Sequence, residues 1–151
     1  MPAKKAYFFA LTAFVFLVDR ITKVCMVCVL SGAQEKSVIP NLFSLRLVYN
    51  SGTAFGMFKD STRALVGLST VFVAVIAASY LSHFYKKGLL VFLAMSLLAG
   101  GALGNLYDRV RYGFVVDFID CKFWSVFNVA DICITIGAAL AFIYFARRKE
   151  A

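Results

Sequence analysis

The chain predicts an all-α integral membrane protein built from four transmembrane helices. Three observations point there. It is 62% hydrophobic and only 16% charged, with a mean hydropathy of +0.82, whereas soluble domains carry nearer about a quarter charged residues. Its apolar residues fall in runs long enough to span a bilayer. Its basic residues gather between and beyond those runs. A length of 151 residues suits one domain.

The first run, 6–18, is uncharged; Asp19, Arg20 and Lys23 then intervene before a second apolar stretch, 24–30. Read together, 6–30 is one helix whose outer half carries charge. A cleavable leader fits in part, through Lys4-Lys5, the 13-residue apolar stretch and the small residues Ser31 and Ala33. The three charges break the path to any cleavage site, so a retained span is expected. Residues 64–82 and 88–107 are uncharged, and about 20 residues of helix cover about 30 Å. The last run, 132–146, has 15 residues and reaches span length when extended back to Asn128.

A single membrane domain over 1–151 therefore has expected spans near 6–30, 63–82, 88–108 and 128–146, with outer loops 31–62 and 109–127. Lys4 and Lys5, Lys86 and Lys87, and Arg147, Arg148 and Lys149 all fall on one side of that arrangement. This positive-inside pattern places both termini in the cytoplasm. The net charge of +8 is thus topological. No basic face with interleaved aromatics emerges, so no nucleic-acid partner is expected.

Both outer loops carry extended-chain signals. Leu42-Phe-Ser-Leu-Arg-Leu-Val-Tyr49 is rich in β-branched and aromatic residues and ends in the turn signal Asn50-Ser-Gly52. Tyr112-Gly113 precedes Phe114-Val-Val. Phe55-Gly-Met-Phe58 before Lys59-Asp60 reads as interfacial. Gly100-x-x-x-Gly104 is a small-residue seam for close helix packing. Cys25-x-x-Cys28 lies in an apolar run with no second pair at metal spacing, and the remaining thiols are Cys121 and Cys133. Buried thiols are expected rather than a metal site, with a disulfide from Cys121 left open.

The carboxylates carry the chemistry. Asp108, Asp117, Asp120 and Asp131 fall within 24 positions. An Asp at a helix centre costs roughly 2.5–3.5 kcal/mol on insertion scales, so such acids are functional candidates. Asp131, three residues after Asn128, also fits a helix capping box. Asp108 has Arg109 beside it as a salt partner, and Asp120-Cys-Lys122 reads as an exposed pair. Asp117 is flanked by apolar residues. If its loop folds back onto the start of span four it meets Asp131, and two close carboxylates share a proton across coupled titrations. One then draws a proton from water while the other donates to a carbonyl oxygen. The dipole favours charge on Asp131 and leaves Asp117 the more easily protonated. The residues alone leave three readings open: an intramembrane aspartyl hydrolase, a small proton-coupled transporter or channel, and a structural membrane protein with capped helices.

Five motifs in order resemble the lipoprotein signal peptidases (signal peptidase II) of bacteria. They are Asp19-Arg-Ile-Thr-Lys23, Asn50-Ser-Gly-Thr-Ala-Phe55, Gly101-Ala-Leu-Gly-Asn105-Leu-Tyr-Asp108-Arg109, Gly113-Phe-Val-Val-Asp117-Phe118 and Phe127-Asn128-Val-Ala-Asp131. The resemblance implies an aspartic endopeptidase of the inner membrane, active toward its periplasmic face, that removes signal peptides from prolipoproteins before a diacylglyceryl-modified cysteine. It implies Asp117 and Asp131 as the catalytic dyad. Asn50, Gly52, Asn105, Arg109 and Asn128 would line the site, and Asp19, Lys23 and Asp108 would support it. It implies a small periplasmic β-sheet and a short interfacial helix beside the four spans. Lipidated prolipoproteins and membrane lipids are the expected partners, a monomer the expected state, and neither metal nor cofactor is implied. The segment 122–126 lacks a proline, and Ile132 follows the second Asp where a hydroxyl residue is frequent; both bear on loop shape. No lipobox is present, since Leu30-Ser-Gly-Ala33 is followed by Gln34.

Overall fold

The computed structural model describes residues 2–32, 35–52 and 62–148. The expected interfacial segment at 55–61 and the Thr53–Phe55 end of the second motif lie outside the described residues.

Four long helices carry the chain: α1 (Pro2–Leu30), α2 (Thr62–Ser79), α3 (Leu89–Tyr112) and α4 (Val129–Arg148). The segment after α2 continues as a single π turn, Tyr80–Phe84. Three helices, Thr62–Phe84, Leu89–Tyr112 and Val129–Arg147, are long and apolar enough to cross a membrane. α1 has 29 residues but carries Asp19, Arg20 and Lys23 in its later half. α3 reaches four residues past its expected end and stops at Gly113. Gly113 has φ +83° and returns its N–H to the Arg109 carbonyl, a left-handed cap that glycine adopts without strain.

α3 is the central helix and packs against α1, α2 and α4. Its small residues permit this. A Cβ on Gly101 would stand 2.5 Å from the Ala130 carbonyl oxygen of α4, and one on Gly104 would stand 2.5 Å from Asp19 Oδ2 of α1. The seam therefore serves two neighbours at once. At the other end of the bundle Phe8 stacks on Tyr80 at 4.3 Å, both buried against Val91, Met95 and Ala99.

The outer segments form one antiparallel sheet in the order β1 (Lys36–Ile39), β2 (Phe43–Asn50), β3 (Val115–Cys121). β2 and β3 correspond to the two extended readings; the four-residue β1, exposed throughout, had no clear signal. A register irregularity between Leu45 and Val48 sets Val48 opposite Asp117 and Asn50 opposite Val115. The loop after β3 returns onto it: Phe127 donates to the Ile119 carbonyl at 3.0 Å and accepts from the N–H groups of Phe118 and Ile119. That return delivers Asn128, at the start of α4, to the middle of β3. All four cysteines are free, and the expected burial of the thiols is corrected: Cys25 and Cys28 are exposed on the outer flank of α1, where no other described element packs over them, and Cys121 and Cys133 are half-buried.

Candidate functional site

The returning loop brings Asp117 on β3 and Asp131 in the first turn of α4 to the wall of one cavity of about 420 Å³. Asn50, Asn105, Arg109 and Phe127 line it as well. Asn128 joins the two acids. Its buried Nδ2 donates to Asp117 Oδ1 at 2.6 Å and to Asn105 Oδ1 at 3.1 Å. Its Oδ1 accepts the Asp131 N–H at 3.0 Å, and its own N–H reaches Asp131 Oδ2 at 3.1 Å. The capping box is therefore formed. Capping and the pairing of acids are the same structure here, because one Asn closes the helix and holds the second carboxylate.

Each carboxylate takes amide donors at both oxygens. Asp117 Oδ2 accepts Asn50 Nδ2 at 2.9 Å, and Asp131 Oδ1 accepts Asn105 Nδ2 at 2.8 Å. Amide orientation follows from the network, and each Asn oxygen meets a group that can only donate. The Gly52 N–H reaches Asn50 Oδ1 at 3.0 Å, the Asp131 N–H reaches Asn128 Oδ1, and Lys23 Nζ reaches Asn105 Oδ1 at 3.0 Å. The three NH₂ groups must then face the acids. Arg109 Nη2 donates to the Gly52 carbonyl at 3.2 Å, tying α3 to the end of β2.

Burial pushes the Asp117 carboxyl up from 3.8 to about 6, and the nearby charge of Asp131 adds to the rise. The Asn50 and Asn128 amides and Lys23 act the other way without cancelling it.

Behind the cavity lies a buried ionic network. Lys23 Nζ sits 2.9 Å from Asp19 Oδ2 and 2.8 Å from Asp108 Oδ2, and both acids are fully buried. Arg20 pairs with Asp108 and covers the Tyr107 ring at 4.9 Å. The remaining Asp19 oxygen accepts the Ala130 N–H of α4 at 3.0 Å, while Asp108 accepts the Val116 N–H of β3 at 3.3 Å. α1, α3, α4 and β3 thus meet through two carboxylates.

Two expectations about the carboxylates need correcting. The salt partners of Asp108 are Arg20 and Lys23; Arg109, its neighbour in sequence, turns into the cavity, since adjacent residues on a helix point about 100° apart. Asp120 is not an exposed half of a pair with Lys122: it is 4% exposed and held by Arg46 Nε at 2.6 Å, with Lys122 at 3.4 Å. Arg20 was the residue sequence reasoning missed. Its spacing from Asp19 and Lys23 on a charged helical patch was the available signal. A further cavity of about 330 Å³ shares Asn105, Arg109 and Ile134 with the first and extends to Leu68, Ser69 and Phe72 of α2.

Among the described residues no cluster of His, Cys, Asp and Glu could hold a metal ion.

Fold and site together define a multi-pass membrane protein with paired acids at one end of its helices. Two solved structures, each described as a bacterial membrane enzyme, share this fold. One matches with a TM-score of 0.84 and 27% identity, covering 95% of this chain and 90% of that one. The other matches with a TM-score of 0.78 and 29% identity, covering 93% and 92%. Residues 11–147 match the family model of signal peptidase (SPase) II. Lipoprotein signal peptidases of Pelotomaculum thermopropionicum and Moorella thermoacetica are each 38% identical over 134 and 133 residues, covering 89% and 88% of this chain and 88% of each relative. That of Pseudomonas aeruginosa is 38% identical over 149 residues, covering 93% of this chain and 88% of the relative. The chain belongs to the signal peptidase II family and is a membrane peptidase.

Proposed function

We propose that this peptidase is an aspartic endopeptidase that cleaves the signal peptide of prolipoproteins on the N-terminal side of a diacylglyceryl-modified cysteine. The observation that carries the reading is that Asp117 and Asp131 line one cavity and are bridged by Asn128. Asp131, at a helix N-terminus and held by N–H donors, starts as the carboxylate; Asp117, with its raised affinity for a proton, starts as the acid.

Asp131 takes a proton from water as the water oxygen bonds to the scissile carbonyl carbon, and Asp117 gives its proton to the carbonyl oxygen. The tetrahedral gem-diol then collapses. Asp131 passes its proton to the departing amine as the C–N bond breaks, and a hydroxyl proton returns to Asp117. Arg109 and the Asn50 and Asn105 amides stabilise the charge that develops, which is the largest contribution in many such sites. The adjoining space toward Phe72 and Leu68 suits the acyl chains of the modified cysteine.

The working topology is four spans, with α1 as the first and both termini cytoplasmic, in the inner membrane of a bacterium. The dyad then faces the outer side, where water is available and the lipid can stay in the bilayer. A monomer suffices, because every residue in this mechanism comes from one chain.

Expressing Asp117→Asn and Asp131→Asn separately tests the reading. Each should remain inserted and accumulate lipidated, unprocessed prolipoprotein. Normal processing by either stably inserted variant would sink the aspartic mechanism.

A further inference from the structure

We propose that this chain binds an anionic phospholipid in a basic, aromatic-walled cavity at the end of the bundle remote from the two acids. The cavity holds about 300 Å³ and is lined by Lys4 and Tyr7 of α1, Tyr80 and Tyr85 after α2, and Lys87 and Phe92 at the start of α3. Lys5 and Lys86 flank it on one ring, their ammonium groups 4.5 Å and 5.6 Å from the centroid of Tyr85. Two lysines thus line the hollow and two more sit against one of its walls.

Among the described residues no carboxylate neutralises them. The six described carboxylates, Asp19, Glu35, Asp108, Asp117, Asp120 and Asp131, all belong to the sheet end of the molecule. Among the described residues, none of these four lysines forms an ion pair with a carboxylate. The first turns of α1 and α3 contain no acid either. Lys4, Lys86 and Lys87 are exposed and Lys5 half-buried, so their charge needs no protein partner. Their gathering around an aromatic-walled cavity, at the helix ends where positive-inside topology also places them, is what points to an anionic headgroup.

Shape narrows the anion to a lipid. Fifteen residues of α1 separate Lys4 from Asp19, about 22 Å of helix. If Asp19 lies toward one surface of a bilayer with an apolar core about 30 Å thick, the lysines lie toward the other. A phosphate at the lysines would leave its acyl chains beside Tyr7, Leu89 and Phe92, of which Tyr7 and Leu89 are 62% and 70% exposed. Basic pockets between helix ends at this depth are the usual form of headgroup recognition.

The test titrates the purified full chain in a nonionic detergent with phosphatidylglycerol, with phosphatidylcholine of the same acyl chains, and with inorganic phosphate, reading the thermal midpoint. Phosphatidylglycerol should raise it saturably and the other two should not. Lys4→Gln/Lys87→Gln should weaken the half-saturation point roughly 30-fold, and Lys87→Gln alone roughly fivefold, from the usual contribution of a lysine near an anionic surface. Lys4→Arg/Lys87→Arg should retain binding. Lys36→Gln/Arg63→Gln, which removes equal charge from exposed positions at the sheet end, should bind as the parent does. Equal stabilisation by phosphatidylcholine, reproduction by phosphate alone, or the same weakening in both Gln pairs would each overturn the proposal. Because the readout is binding, its failure is separable from failure of the aspartic mechanism.

Discussion

Asn128 donates its side-chain amide to Asp117 at 2.6 Å while its side-chain oxygen receives the backbone N–H of Asp131 at 3.0 Å. Cap and bridge can be separated by substitution. Asn128→Ser keeps an oxygen for the Asp131 N–H but is too short to reach Asp117. The cap itself should survive, as Ser and Asn cap comparably, while loss of the two buried Nδ2 bonds should cost about 1–3 kcal/mol. Turnover should fall roughly 100-fold or more, the range for losing one donor at such a site. Asn128→Ala should lose the same activity and about 1 kcal/mol besides. Thermal unfolding and single-turnover cleavage, run side by side, check both.

Asp117 sets a pH dependence whose sign differs from that of most acids. Its carboxyl is raised from 3.8 to about 6, chiefly by burial, so the folded state holds the proton more tightly than the unfolded chain does. The stability this contributes is complete below about pH 4 and is lost as pH rises through about 6. The difference is at most about 3 kcal/mol. Asp117→Asn removes the titrating group, so unfolding midpoints taken from pH 4 to 8 should flatten relative to the parent. In the parent, kcat/KM should fall on an alkaline limb with an apparent value near 6 belonging to the pair.

How much of this was legible in the sequence follows from contact range. The helices announce themselves through local apolar runs, and the Asn128–Asp131 cap through a three-residue spacing. The meeting of Asp117 with Asp131 was legible only as a condition on how the loop folds. Phe127 meets that condition by pairing with Ile119, a contact that no local pattern encodes. Register hid the partner of Asp120: it lies opposite Ser44, and the pairing reaches diagonally to Arg46, which lies within the irregularity. Asp108 misled for the opposite reason, because an adjacent Arg109 is a nearer candidate in sequence than Lys23, 85 positions away.

Lys23 should divide stability from positioning. It lies between Asp19 and Asp108 and also donates to Asn105 Oδ1, which turns the Asn105 amide onto Asp131. Lys23→Met strands buried charge and should cost roughly 3–5 kcal/mol, the usual penalty for removing one partner. Lys23→Met/Asp19→Asn removes the stranded charge, since Asp108 keeps Arg20 as its partner, and should recover part of that stability. It should not recover cleavage, since Asn105 still lacks the donor that orients it. Recovery of both together would show that Lys23 acts only as a structural counter-ion.

Gly104 tests the tightness of the contact between α1 and α3 beneath the dyad. A methyl group there would stand 2.5 Å from Asp19 Oδ2 and 3.4 Å from the Ala130 Cβ. Asp19 has little freedom to yield, because Lys23 holds that oxygen and the Ala130 N–H holds the other. Gly104→Ala should therefore cost about 1–3 kcal/mol, the range for overpacking. By moving Ala130 it should also disturb Asp131 one residue on and lower cleavage. Gly67, on α2, has nothing within 4 Å of its Cβ direction, so Gly67→Ala should be neutral or stabilise by up to about 1 kcal/mol through helix propensity. If the two substitutions behave alike in thermal unfolding and cleavage, the close approach of Asp19 to α3 is not what holds the site in shape.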